Sequence, residues 1–414
     1  FTRQENGMIN NACNDVKLKK KIMLISPMLH QGGFERICVL TARLLADHCQ
    51  VMIVVFSMED LAFDISGLEV VDLNLKARRG RTGKLLNLLK RGIKLTILQK
   101  KSGTDISYSF GMTANIANAL SFGAKRRICA CHSFEEIKNK GYMRLVGRSA
   151  DRLLCCSEKM ADLVRKTYGF SNMTALWNPC DLDALRAQSG LAGQEDMAFF
   201  KGRERVLVSM GREDDVKGFW HLIKVFRRIH EQEKDTRLAI IGEGEFAEYK
   251  RLVRDLELDD RVLFTGLKKN PFPYLKESDL YLLTSISEGL PNALVEALAL
   301  SLPIVSVNCL SGPAEILHGD FRAAESWSGI FKADYGILTP PLSPEKDLSV
   351  CWEETAGGKK VRLEKEEEAL AEAVLELLRD RELYEGYKSK AALRAQAFSA
   401  ANYRKGLLSC MERL

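Results

Sequence analysis

No stretch of this 414-residue sequence approaches the roughly 18 uncharged apolar residues that a membrane-spanning helix needs. Even the run from Ala293 to Val307 is interrupted by Glu296, so no spanning segment is expected. The opening residues, Phe1 to Val16, are polar and mixed, without the basic start and apolar core of a secretory signal. The eleven cysteines form no CxxC pair and no His-Cys zinc spacing. Several, such as Cys129, Cys131, Cys155 and Cys156, fall in strand-like runs, the pattern of reduced core residues in a cytoplasmic protein rather than a disulfide framework. Acid is missing from one long segment: Lys76 to Lys101 holds ten basic residues and no acidic one.

What is present is the balance of a soluble globular chain, with 46% apolar and 28% charged residues. The length exceeds what one hydrophobic core serves, so two domains of about 150 to 200 residues are expected. The net charge of +6 is unevenly divided. Residues 1–180 carry 28 Lys and Arg against 15 Asp and Glu, a net of +13, which leaves −7 for the remainder.

Short runs rich in Val, Ile and Leu alternate with segments of helical period, as parallel strands joined by crossover helices do. The first series of predicted strands is Lys21–Ser26, Val51–Ser57, Leu68–Asn74, Asp105–Phe110, Arg127–Cys131, Arg152–Ser157 and Met173–Trp177. A polar, glycine-containing stretch at 181–204 reads as a linker. The second series is Arg205–Met210, Arg237–Gly242, Arg261–Gly266, Asp279–Ser285, Leu302–Asn308 and Tyr335–Thr339. Glu364–Arg379 predicts a long amphipathic helix, whereas Gly319–Asp334 and Pro341–Lys360 read as loops. The expected fold is therefore α/β: two Rossmann-like, doubly wound domains, 17–180 and 205–397, facing each other across a cleft. A closing helix at 398–414 is expected to return to the first domain. Ligands of such sheets bind beyond the carboxyl ends of the strands, which puts the site between the domains.

Candidate site residues cluster at those strand ends. After Asp279–Ser285 come Glu288, Gly289, Leu290, Pro291 and Asn292, with Glu296 further on. Pro291 suits a first helical position because its missing amide hydrogen costs nothing there. Free amides at that helix start, with Gly289 permitting close backbone approach, suit a pyrophosphate. Arg212 and Lys217 follow Arg205–Met210 and are placed to neutralise a departing diphosphate. Gly32 and Gly33 lie between the first strand and its helix, and His132 follows Arg127–Cys131. The triplet Asp181–Leu182–Asp183 reads as a helix cap rather than a metal ligand set.

These motifs, in this order, resemble the donor-binding domain of family-four retaining glycosyltransferases with the GT-B fold. The resemblance rests on the loop with Arg212 and Lys217, on Ile240–Gly244, on Val262–Gly266, on Glu288–Asn292 with Glu296, and on Ser311–Leu317. Gly32–Arg36 and Asn178–Asp181 extend it over most of the chain. It implies that Arg212 and Lys217 hold the donor diphosphate, Glu288 the transferred sugar and Glu296 the ribose, while Gly32 and Gly33 approach from the opposite domain. It further implies retention at the anomeric carbon without a metal or other cofactor, the partners being a nucleotide sugar and a glycan or lipid-linked acceptor. Ala314 departs from the pattern, since relatives often carry Arg there. Two other readings compete: a nucleotide-sugar epimerase of the same fold, with His132 as its acid or base, and an inactive sugar-binding partner.

The basic segment carries an expectation of its own. Leu85, Leu88, Leu89 and Leu95 fall near one helical stripe and the cations occupy much of the rest, which is the profile of a helix lying on an anionic membrane surface. That predicts a protein peripheral at the inner face of the plasma membrane. Nucleic acid is not expected, because no aromatic residue is interleaved with the charge to stack on bases.

Overall fold

The computed structural model describes residues 19–414 except 31, 60, 192–194, 203 and 356–357. The opening segment to Val16, Gln31 of the glycine loop and Gly193 of the expected linker lie outside the described residues. The first sheet contains β1 (Lys21–Ser26), β2 (Gln50–Val55), β3 (Glu69–Asp72), β4 (Ile106–Phe110), β5 (Arg126–Cys131), β6 (Arg152–Cys155) and β7 (Met173–Ala175). Its order is β3-β2-β1-β4-β5-β6-β7, and every pairing is parallel. The second sheet contains β8 (Arg205–Met210), β9 (Thr236–Ile241), β10 (Val262–Gly266), β11 (Leu280–Leu283), β12 (Ile304–Val307), β13 (Phe331–Lys332) and β14 (Ile337–Thr339). Its order, β10-β9-β8-β11-β12-β14-β13, repeats that of the first except at the far edge, where β13 lies outside β14 and pairs with it antiparallel.

Strands covered by helices on both faces must be apolar throughout, and β1 and β11 are buried along almost their whole length. In both sheets the strand order reverses beside the first strand, between β1 and β4 and between β8 and β11. A crevice opens at such a switch point, because the connections on either side leave in opposite directions. The loops after these four strands carry Gly33, Gly111, Arg212 with Lys217, and Glu288. Strand order alone thus brings the expected residues of both halves to one place.

The helices of the first domain include α1 (Gly33–Leu45), α2 (Arg81–Ser102) and α3 (Met112–Ala119). The stretch expected to be a linker contains two further helices, Leu182–Ser189 and Met197–Phe200. Asp181 caps the first of them, accepting from the Ala184 amide at 3.1 Å. Leu182, Leu185 and Phe200 are buried, so polar composition concealed a short packed connection. The expected loops also hold structure, namely the helix Phe321–Glu325, the edge strand β13 and a hairpin of β15 (Trp352–Thr355) with β16 (Gly358–Val361). Elements this short carry too few residues to show a period.

The chain returns to the first domain at its end. The helix Ala400–Glu412 packs on α1, and the Tyr403 hydroxyl shares hydrogen bonds with Thr41 at 3.0 Å and Tyr108 at 3.3 Å. The outgoing and returning segments pair as they cross. The Cys180 amide donates to the Phe398 carbonyl at 2.8 Å, and Ala400 donates to the Cys180 carbonyl at 2.9 Å. Leu407 is fully buried in the core of the first domain. Leu407→Ala is expected to destabilise that domain by about 2–5 kcal/mol. Hydrogen exchange should register the loss in β1, β2 and β4 and leave β8 to β12 unchanged.

Candidate active site

A cleft of about 590 Å³ lies between the domains, lined by residues of both. Gly33, His132 and Asn178 come from the first domain. Arg212, Lys217, Glu288, Gly289, Leu290, Pro291, Asn292 and Glu296 come from the second. Of the residues expected at the site, Gly32 alone is set back from this lining. It serves as the N-cap of α1, and a side chain there would run into the carboxylate of Glu35. Pro291 precedes the helix Asn292–Ala299 as its N-cap instead of opening it.

Local structure fixes the cationic loop. Asp214 accepts from the Val216 amide at 3.1 Å and Glu213 from the Phe246 amide at 2.8 Å. The Ile286 amide donates to the Val216 carbonyl at 2.7 Å, and the Thr284 hydroxyl donates to the Lys217 carbonyl at 3.0 Å. Gly218 ends the turn at φ +61°, where a side chain would also overlap the Thr284 carbonyl. The loop after β8 is thereby tied to the segment after β11. Lys217 Nζ lies 2.7 Å from Glu288 Oε1, and both side chains are largely buried. Arg212 is exposed into the cleft, within electrostatic reach of Glu35. Burial pushes the Glu35 carboxyl above its ordinary range, against the pull of Arg212 and His30.

Three cross-domain features escaped the sequence. Arg36 of α1 forms an ion pair with Glu296, so the residue expected to hold a ribose is already engaged by the opposite domain. Glu315 accepts from the Glu158 and Lys159 amides, each at 2.8 Å, and from the Trp177 indole at 3.0 Å. A carboxylate of the second domain thus caps the helix Glu158–Tyr168 of the first, in company with a 2.6 Å contact between the Ser157 and Ser311 hydroxyls. The third is steric: a side chain at 289 would overlap the carbonyl oxygen of His132. Glycine is required there by the seam between the domains, whatever a ligand asks of it. The motif Gly32–Arg36 contained the signal for Arg36, which stands one helical turn beyond Gly32, but nothing in it named the partner.

His132 stacks on Phe110 with ring centroids 6.1 Å apart. Both its ring nitrogens are buried and unpaired among the described residues, Asn178 lying within reach without an aligned hydrogen bond. Burial holds its pKa down to about 4, so the imidazole is neutral near pH 7. Asn178 in turn donates to Asn292 at 3.0 Å, bridging the domains.

Two family models match the chain, one to each half: Glycosyltransferase Family 4 over residues 31–184 and Glycosyl transferases group 1 over residues 195–324. Each half of the chain thus matches a glycosyltransferase family, and the whole has the GT-B fold. Among curated relatives it is 35% identical over 185 residues to an uncharacterized glycosyltransferase of Methanocaldococcus jannaschii, a match spanning 44% of each chain. It is 25% identical to the N-acetylgalactosamine-N,N'-diacetylbacillosaminyl-diphospho-undecaprenol 4-alpha-N-acetylgalactosaminyltransferase of Campylobacter jejuni, across 92% of this chain and 96% of the relative. The crystal structure of Anabaena HepE in complex with UDP-glucose superposes with a TM-score of 0.71 at 18% identity, covering 95% of this chain and all of that one. The fold is thus shared with that solved structure over 95% of the chain.

Beside the cleft, Glu136 accepts from the His132 and Ser133 amides at 2.6 and 3.1 Å. Desolvation pushes its pKa up to about 7 from an ordinary 4.5. Between those values the folded state holds a proton that the unfolded state has released, so this residue's contribution to stability falls as pH rises through the window. Glu136→Gln, which mimics the protonated form, is expected to gain stability relative to the parent between about pH 5 and pH 8. Melting temperatures of both proteins across that range check the sign.

Proposed function

We propose that this protein is a retaining glycosyltransferase. It moves a hexose or N-acetylhexosamine from a UDP-linked sugar to a glycan or lipid-linked acceptor, in the synthesis of a cell-surface polysaccharide or glycoconjugate. The observation that carries the reading is the pair Lys217–Glu288, 2.7 Å apart in the interdomain cleft. It sets a cation for a diphosphate beside a carboxylate for sugar hydroxyls, next to the start of the helix Asn292–Ala299. The Campylobacter relative bears an α-linkage and a diphospho-undecaprenol acceptor in its name, and the Anabaena neighbour was solved with UDP-glucose. Both support donor and acceptor of these classes.

In this reading the diphosphate lies against the amides that open the helix Asn292–Ala299, with Arg212 and Lys217 on its oxygens. Glu288 accepts hydrogen bonds from the transferred sugar, and Glu296, shared with Arg36, holds the ribose. As the bond from the anomeric carbon to the diphosphate breaks, the acceptor hydroxyl attacks from the departing face and gives its proton to a phosphate oxygen. Configuration is retained and no protein nucleophile forms a bond. Cations and amides aimed at the developing charge supply the stabilisation, and no resident cofactor takes part. An epimerase would need an acid in the cleft, and His132, neutral with a pKa of about 4, is a poor one. The ten described cysteines are free and eight are buried, which supports a reducing, cytoplasmic setting.

Lys217→Ala and Glu288→Ala are each expected to lower the rate of transfer by about 10²- to 10³-fold with unchanged far-ultraviolet circular dichroism. Near-normal turnover in either would reject the assignment. Since side-chain cations do the work of a divalent ion in this reading, turnover is expected to survive a chelator, and loss that magnesium or manganese restores would overturn it.

A further inference from the structure

The helix α2 is built inside out. Its inward face is anchored by polar side chains: Asn87 donates to the Lys76 carbonyl at 2.8 Å, and Arg91 donates to the Leu75 carbonyl at 2.6 Å. Further along the same face, Gln99 pairs with Ser121 at 3.1 Å and with the Gly123 amide at 3.0 Å. Arg91 also lies over the Phe56 ring at 4.2 Å. Leu95 is fully buried and Leu88 half-buried, so the stripe expected from the sequence splits between two faces. The aliphatic residues that face solvent are others. Leu85, Leu89, Ile93 and Ile97, spaced four apart, are 60%, 45%, 60% and 61% exposed. Leu86 at 53% widens the stripe. Phe122, 75% exposed, joins it through the hydrogen bond from its amide to the Thr96 hydroxyl.

A helix normally turns such a stripe to the core, because leaving it in water forgoes the apolar burial that holds the helix down. Here the core already has its contacts. Around the stripe, Arg78, Arg79, Arg81, Lys84, Lys90, Lys100 and Lys101 are exposed and, among the described residues, pair with no acidic side chain. The other three cations of the segment are occupied, Lys76 by Glu59, Arg91 by the Leu75 carbonyl and Lys94 by the Leu73 carbonyl. Over its 22 residues the helix runs about 33 Å.

We propose that α2 and Phe122 form a docking face for an anionic phospholipid bilayer, with the helix lying in the interface plane. The aliphatic stripe enters the acyl boundary and the seven free cations meet the phosphates. The occupant follows from the chemistry. Nucleic acid would answer the cations but leave five aliphatic side chains in water. A second copy on the same face would set seven cations against seven. No helix among the described residues is long and apolar enough to cross a membrane. Docking itself does not depend on the transfer reading; what rests on that reading is its use. Since α2 packs on α3, and Gly111 and Met112 at the start of α3 line the cleft, a bilayer held here presents a lipid-linked acceptor one helix away from the donor.

The test is flotation of the whole chain with vesicles of phosphatidylcholine alone or of equal parts phosphatidylcholine and phosphatidylglycerol. Binding is expected to the anionic vesicles only and to weaken with salt. The double variants Leu89→Asp with Ile93→Asp, and Arg78→Glu with Arg79→Glu, are each expected to lower it at least tenfold, with melting temperature unchanged. An environment-sensitive fluorophore at Ile97→Cys, in a Cys351→Ser background, gives a second reading that does not need those variants to fold. Its emission is expected to shift to the blue on anionic vesicles, and the same dye at Leu393→Cys in the second domain to stay put. Equal binding to both vesicle types, no binding to either, or a dye at position 97 that stays wet on bound protein would each overturn the proposal. So would a dimer that the aspartates dissolve.

Discussion

Residue 289 has space for a hydrogen atom and nothing more, because the carbonyl of His132 occupies the place a side chain would take. That contact sets the separation of the two domains at the point where the site must form. Around it the seam is braced by Glu315 on the helix Glu158–Tyr168, by the paired hydroxyls of Ser157 and Ser311, and by Asn178 on Asn292. The buried apolar residues follow suit. Cys156 and Met160 of the first domain belong to one continuous cluster with Leu290 and Leu294 of the second. The segment proposed to offer amides to a diphosphate is therefore the same segment that presses the domains together.

The ion pairs of the cleft follow from that closeness. Glu288 and Glu296 sit in surroundings that exclude most water, and a buried carboxylate without a partner is costly. Each has taken the nearest cation, Lys217 within its own domain and Arg36 across the seam. In the proposed reading, a diphosphate arriving between them would compete for Lys217 and leave Glu288 free to turn to hydroxyl groups. The pair thus keeps both groups in usable rotamers at little cost until a ligand exchanges one partner for another.

The strands were legible because burial on both faces demands continuous apolar runs, and all thirteen expected strands recur, Lys21–Ser26 and Arg205–Met210 with the expected bounds and the rest with shifted ends. The site loops were legible because strand order sends them to the switch point. Arg36, Glu315 and the steric demand at 289 were not, since each depends on a partner more than a hundred residues away and leaves no local period. The orientation of α2 escaped for a different reason. A stripe of leucines and isoleucines has the same spacing whether it faces the core or the solvent. Only the polar bonds of Asn87, Arg91 and Gln99 decide which way the helix is turned.

The pairing of Cys180 with Phe398 and Ala400 has a mechanical consequence. The polypeptide passes between domains twice, and the two passages run side by side, joined by backbone hydrogen bonds 2.8 and 2.9 Å long. Two parallel tethers at one place act as the pin of a door. They permit swing about a line through both and resist sliding or twisting of one half against the other. Any opening of the cleft is then a rotation with a fixed axis, and the cleft residues farthest from Cys180 travel the greatest arc.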